Sequence, residues 1–170
     1  MTLGGVLEQV RRTAQDQPVL VFDLDSTLYS TQPRNLAILR EFARTCGPVR
    51  AIAERLNVKD MGWNITDDLR AHGVTDPALL AEAKAFWRAR FFRGDYLRHD
   101  VPMAGAVAFV RAAHQAGARV YYLTGRDEPN MGDGTRASLV AHGFPAAHDA
   151  RVVLRMKPDF DTPDLAFKRQ

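Results

Sequence analysis

The sequence predicts an α/β fold, a parallel sheet with a helical subdomain inserted after its first strand. Three observations predict it. Val19–Leu24 is a continuous apolar run that ends in "DLDST". A second apolar run, "ARVYYLTGR", ends in the same manner much later in the chain. Between them, residues 30–100 carry helical periodicity and no good strand.

The elements follow in order. The opening "MTLGGVLEQVRRTAQDQP" reads as a short amphipathic helix and lacks the basic-then-apolar order of a signal peptide. Val19–Leu24 suits a parallel strand covered on both faces. In the insert, "RNLAILREFART" spaces Leu36, Leu39 and Phe42 for a helix that Gly47-Pro48 ends. "GPVRAIAERL" offers Val49, Ile52 and Leu56. "DPALLAEAKAFWRARFF" opens with Asp76 as cap and Pro77 at the first helical position. A helix over "AGAVAFVRAAHQAGA", stopped by Gly117, leads into the strand Val120–Leu123, which ends at Thr124 and Gly125. A short helix over "GTRASLVAHGF", stopped by Gly143, precedes a third strand at "ARVVLRM". Alternating strands and helices imply parallel pairing with right-handed crossovers. The domain expectation is a discontinuous core of 1–29 and 101–170 and a helical cap of 30–100. The cap would lie over the carboxyl ends of the strands, where such sheets place ligands.

Composition narrows the class of function. The chain is 46% hydrophobic and 25% charged, with a net charge of +3 and basic residues scattered, which leaves no nucleic-acid footprint. No apolar run approaches a bilayer span. Cys46 is the single cysteine, so no internal disulfide forms, and a cytoplasmic location is expected. The five histidines show no metal-ligand spacing, and "GDG" at 132–134 lacks the lysine of a phosphate loop. "FWRARFFRGDYLR" reads as cap-helix packing with arginine stems over apolar surface rather than a nucleic-acid contact.

Asp23 and Asp25 carry the chemistry. Residues i and i+2 leave a strand on one face. Two close carboxylates need a cation between them or a proton on one. Mg²⁺ takes oxygen ligands and commonly binds together with a phosphate substrate. One carboxylate can then attack phosphorus while the other moves a proton. Thr124 and Gly125 add a hydroxyl and a backbone amide as oxyanion donors. Lys157 and Lys168 are the candidate cations for the phosphate. Arg126 is a candidate substrate contact, but an arginine after a strand more often pairs with a surface acid such as Asp127, and that pairing is the expectation.

"VLVFDLDSTL" resembles motif I of the haloacid dehalogenase superfamily, and "VYYLTGR" is similar to its motif II. The insert between them matches that family's helical cap. The resemblance implies a Rossmann-like core and a Mg²⁺-dependent phosphomonoester hydrolase acting through an aspartyl-phosphate on a small phosphorylated substrate. It implies Asp23 as nucleophile and first metal ligand. Asp25 would be the acid/base and would lend its backbone carbonyl to Mg²⁺. Thr124 would bind the transferring phosphoryl group, and the second aspartate favours phosphate chemistry over dehalogenation. For the family's motif III lysine, Lys168 fits a helix capped by Thr162 and begun by Pro163, with Lys157 in "MKPDF" as the fallback.

The family's fourth motif, an acidic pair after a further strand, has no counterpart before Gln170. The expectation is therefore a core truncated at its C-terminus or completed by a partner. Val19–Leu24 would then form an exposed sheet edge, open to self-association. The alternatives are a catalytically impaired fragment or non-catalytic interaction protein, a phosphomutase, and a receiver-like phosphoacceptor. No nucleic-acid or membrane partner is expected.

Overall fold

The computed structural model describes residues 2–146 and 148–169. They form two compact units, Met1–Tyr29 with Pro102–Gln170, and Ser30–Val101.

The first unit is built on a parallel sheet of three strands, β1 (Val19–Phe22), β4 (Arg119–Asp127) and β5 (Val152–Lys157), in the order β1-β4-β5. The register pairs Val19 with Arg119 and Phe22 with Tyr122, so both strands run out at the same end of the sheet. β4 alternates as far as Arg126, with Val120, Tyr122, Thr124 and Arg126 all buried, and Asp127 beyond it is buried too. Its pairing with β5 is regular through Leu123, then shifts register before Asp127 meets Lys157. The helices of this unit are α1 (Leu3–Arg12), α6 (Ala106–Gln115), α7 (Glu128–Ala141) and α8 (Asp164–Lys168). Helices α6 and α7 pack on β4, and Leu24, Val110, Tyr122, Leu139 and Phe144 meet in the core between them. Gly117 and Gly143 follow α6 and α7 with φ of 106° and 76°, the left-handed conformation that lets a helix stop without a Cβ penalty.

Several expectations need correction here. β1 ends at Phe22 rather than Leu24, and it is not covered on both faces. Val19 and Val21 are 54% and 59% exposed, because only the face carrying Leu20 and Phe22 packs against a buried cluster among the described residues. β4 runs on to Asp127 rather than ending at Gly125. α7 starts well before "GTRASLVAHGF", because Asp127 caps it by accepting from the amide of Asn130 at 3.0 Å, with Pro129 in the first turn.

The second unit is helical: α2 (Gln32–Thr45), α3 (Gly47–Arg55), α4 (Ile65–Ala71) and α5 (Pro77–Phe91). Its core joins Ile38, Leu39 and Phe42 of α2 to Val49 of α3 and to Ile65 and Leu69 of α4. Asp76 caps α5 through the amide of Ala78 at 2.9 Å. Asn35 ties three parts together: its Nδ2 donates to the Gly62 carbonyl, and its Oδ1 accepts from Trp87 Nε1, each at 2.8 Å. Arg34 and Asp100 form a fully buried ion pair, Nε to Oδ1 at 2.8 Å. Short strands β2 (Tyr29–Ser30) and β3 (Val101–Pro102) pair where the chain passes between the units. Among the described residues no helix is long and apolar enough to cross a membrane.

Candidate active site

At the end of β1 the chain folds sharply on itself. The Leu24 carbonyl accepts from the amides of Thr27, Leu28 and Tyr29 at 3.2, 2.9 and 2.9 Å. Ser26 completes the turn at φ 60°, a left-handed value uncommon outside glycine. Leu24 is sealed in the core between the two aspartates, which stay partly open. The alternation of a strand continues into the loop: Leu24 anchors, and Asp23 and Asp25 face the opposite way.

The two carboxylates meet different cations. Lys168 Nζ lies 3.0 Å from Asp23 Oδ1, both side chains about a third exposed (31% and 39%). Asp25 accepts from Arg126 with both oxygens, Nη2 to Oδ1 at 2.7 Å and Nε to Oδ2 at 3.1 Å. The remaining arm of Arg126, Nη1, donates to Thr135 Oγ1 of α7 at 3.3 Å. The amide of Arg126 donates to Thr124 Oγ1 at 3.2 Å, which fixes that buried hydroxyl. One residue thus links Asp25, Thr124 and Thr135.

This overturns the expected surface pairing of Arg126 with Asp127: Asp127 is the cap of α7, and the Arg126 guanidinium is buried. The signal was present in the sequence. Alternation along β4 places Arg126 on the same inward face as Val120, Tyr122 and Thr124. Thr135, eight residues into α7, carried no such signal.

The lysines also separate. Lys157 is buried, donates to the Phe160 carbonyl at 3.2 Å and lies 3.1 Å from Asp164 Oδ1, so it is a structural cation at the end of β5. Lys168 reaches Asp23. The helix that delivers it is the expected one with a different cap: Pro163 stands at the N-cap position of α8, and Thr162 instead binds Asp159 Oδ1 through its amide and hydroxyl at 2.7 and 2.8 Å. Those two bonds hold the Asp159 carboxyl below its usual range. Gly125 lies inside β4, and its missing side chain has a packing reason. A Cβ there would stand 2.1 Å from Asp164 Oδ2.

A family model of haloacid dehalogenase-like hydrolases matches residues 18–164. The chain belongs to that family. No curated protein and no solved structure matches it. The matched span covers β1, the helical insert, β4 and β5.

Hydrolases of this family commonly use Mg²⁺, so the donors of this chain can be tested against that ion. Mg²⁺ binds through one or two protein oxygens and fills its octahedron with water and substrate phosphate. Asp23 offers a partly exposed carboxylate of the right chemistry. Asp25 offers its main-chain carbonyl, while its side-chain oxygens each accept from Arg126 and keep a further lone pair. No group of three or more His, Cys, Asp or Glu side chains converges among the described residues. The donor set therefore fits a sparsely ligated Mg²⁺ completed by substrate and not a caged metal.

Proposed function

We propose that this hydrolase cleaves phosphomonoesters, with Asp23 as the nucleophile. The observation that carries the reading is the Lys168–Asp23 pair at 3.0 Å. A lysine beside the nucleophilic carboxylate offers its remaining donors to an incoming phosphate. An oxygen of Asp23 attacks phosphorus, the bond to the ester oxygen breaks, and the leaving oxygen takes a proton from the Asp25 carboxyl. Water then attacks the aspartyl-phosphate, phosphate departs, and the Asp23 carboxylate is restored. Asp25 accepts the proton of that water, and Arg126 fixes the orientation of its carboxylate. The same proton then serves the next leaving oxygen. Thr124, oriented by the amide of Arg126, is a hydroxyl donor for the transferring group. Mg²⁺, held by Asp23 and the Asp25 carbonyl, would neutralise charge on the phosphoryl oxygens.

Release of phosphate from 4-nitrophenyl phosphate, with and without Mg²⁺, tests the reading. Wild-type chain turns over with Mg²⁺, and Asp23→Asn lowers turnover at least about a thousandfold. If neither turnover nor calorimetric binding of Mg²⁺ or a phosphate mimic is seen, the chain is a non-catalytic member of its family. A labelled phosphoenzyme that outlives water attack and passes phosphate to a second hydroxyl would mark a mutase instead.

A further inference from the structure

The helical unit contains a cavity of about 460 Å³ whose charge is unbalanced. Arg40 and Arg44 stand one turn apart on α2, and both line it. The short 3₁₀ segment Gly94–His99 contributes Tyr96, Arg98 and His99 to the wall. Leu36, Ala37 and Val58 add apolar surface. A second hollow, of about 380 Å³, shares Arg40 and Arg44 and adds Arg50 together with one carboxylate, Glu54.

Glu41 is the one carboxylate in the wall of the larger cavity, and it is already spent. Its Oε1 accepts from Arg90 Nε at 2.9 Å and its Oε2 from the Tyr96 hydroxyl at 2.7 Å. Burial alone would raise its pKa, but these two bonds and the charges of Arg90 and Arg44 outweigh that and leave it lowered. By contrast, none of Arg40, Arg44 and Arg98 has a carboxylate within 4.0 Å among the described residues. Their contacts orient without neutralising. Arg40 Nη2 donates to the Leu56 carbonyl at 3.2 Å, and Arg98 Nη1 donates to the Asp95 carbonyl at 2.9 Å. Arg98 also stacks over Tyr96, 5.7 Å from the ring centre. His99 is pushed toward its neutral form by burial and by Arg98, so the wall carries no more positive charge than these guanidiniums supply.

We propose that this cavity binds a small organic compound bearing two or more phosphate or carboxylate groups. Like charges gathered around a concavity focus an anion, and guanidinium matches both oxyanions with paired hydrogen bonds. The volume lies in the range of small-molecule sites. The apolar wall calls for an organic body and not a bare ion. A nucleic acid would ask for an extended basic track, which a hollow does not offer. The proposal stands apart from the chemistry at Asp23.

Calorimetry with the whole chain tests it, using a nucleoside diphosphate, citrate and a single-stranded oligonucleotide as probes. The diphosphate or citrate binds, and whichever is tighter identifies phosphate or carboxylate as the preferred anion. Arg40→Ala with Arg44→Ala weakens that binding at least about tenfold, while 4-nitrophenyl phosphate turnover and helical content stay unchanged. The bound anion also raises the His99 pKa, read by NMR titration of its imidazole, and Asp23→Asn leaves the binding intact. Equal affinity in the double variant, loss of binding in Asp23→Asn, or tighter binding of the oligonucleotide than of either small probe overturns the proposal.

Discussion

The helical unit and the sheet unit each bury an arginine that holds an aspartate with both arms, and the two pairs differ in what the acid can reach. Arg34 and Asp100 are both fully buried, and Arg34 adds a bond to the Phe91 carbonyl at 2.9 Å and lies over the Phe91 ring. Arg126 is equally sealed, but its partner Asp25 is 30% exposed. The same chemistry is thus used for two ends. Where both charges are enclosed, the pair can only hold parts of the chain together. Where the acid keeps an open side, the arginine fixes a group that can still meet another molecule. Exposure of the acid, not geometry of the bridge, separates the enclosed pair from the one proposed to act.

The largest effect is expected at the sealed pair. Arg34→Leu leaves Asp100 charged and enclosed and costs about 3–5 kcal/mol of stability, measured by urea unfolding. Joint replacement of Arg34 by Met and Asp100 by Leu recovers most of it, since an apolar pair needs no partner. Failure of the double variant to recover would mean that the Phe91 contacts, not the charge, hold this region.

At the open pair the order of effects reverses. Arg126→Lys costs only about 1–2 kcal/mol, because Asp25 can turn to water. Turnover falls by about 10- to 100-fold, because a lysine cannot hold both carboxylate oxygens. Added guanidinium in an Arg126→Gly variant should restore part of the rate without moving KM. A stability loss matching that of Arg34→Leu would erase the distinction drawn here.

The smallest effect concerns another buried acid, Asp68, which has no ion-pair partner within 4.0 Å among the described residues. Asp68 accepts from the amide of Gly62 at 2.8 Å, and its other oxygen has no partner among the described residues. Burial raises its pKa above the usual 3.8 despite that bond. The folded state therefore binds this proton more tightly than the unfolded one, and stability rises as pH falls through the raised value. Asp68→Asn removes the penalty, so it stabilises at neutral pH by about 1 kcal/mol or less. The gain shrinks toward zero as the medium becomes acid enough to protonate the wild-type carboxylate.

Much of this arrangement was legible in the sequence, and the parts that were not share a physical cause. Apolar runs ending in Asp23 and Thr124 marked the strands, and Asp76 with Pro77 marked α5, because those signals are local. α4 was missed, since "ITDDLRA" is short and polar and owes its helix to Asn64, whose side chain accepts from the amides of Thr66 and Asp67. Lys168 was reached for the right reason of helical placement but with the wrong cap. Arg126 was misjudged because its partner is brought to it by the pairing of β1 with β4, a contact that no spacing along the chain encodes. The uncovered face of β1 escaped for the same reason: burial of a strand depends on what packs over it, not on its own residues.

The five-residue helix α8 is too short to be stable on its own backbone bonds. It is moored at both ends, by Asp164 to Lys157 in the notch that Gly125 leaves, and by Lys168 to Asp23. Its order is therefore borrowed from the burial of Phe167 and from electric charge, and the charged part answers to whatever happens at Asp23. Neutralising that carboxylate slackens the mooring, and placing a doubly charged group on it tightens it. Amide exchange in residues 164–168 becomes a gauge of the state of a side chain far away in the sequence. That gauge needs no substrate of known identity to be read.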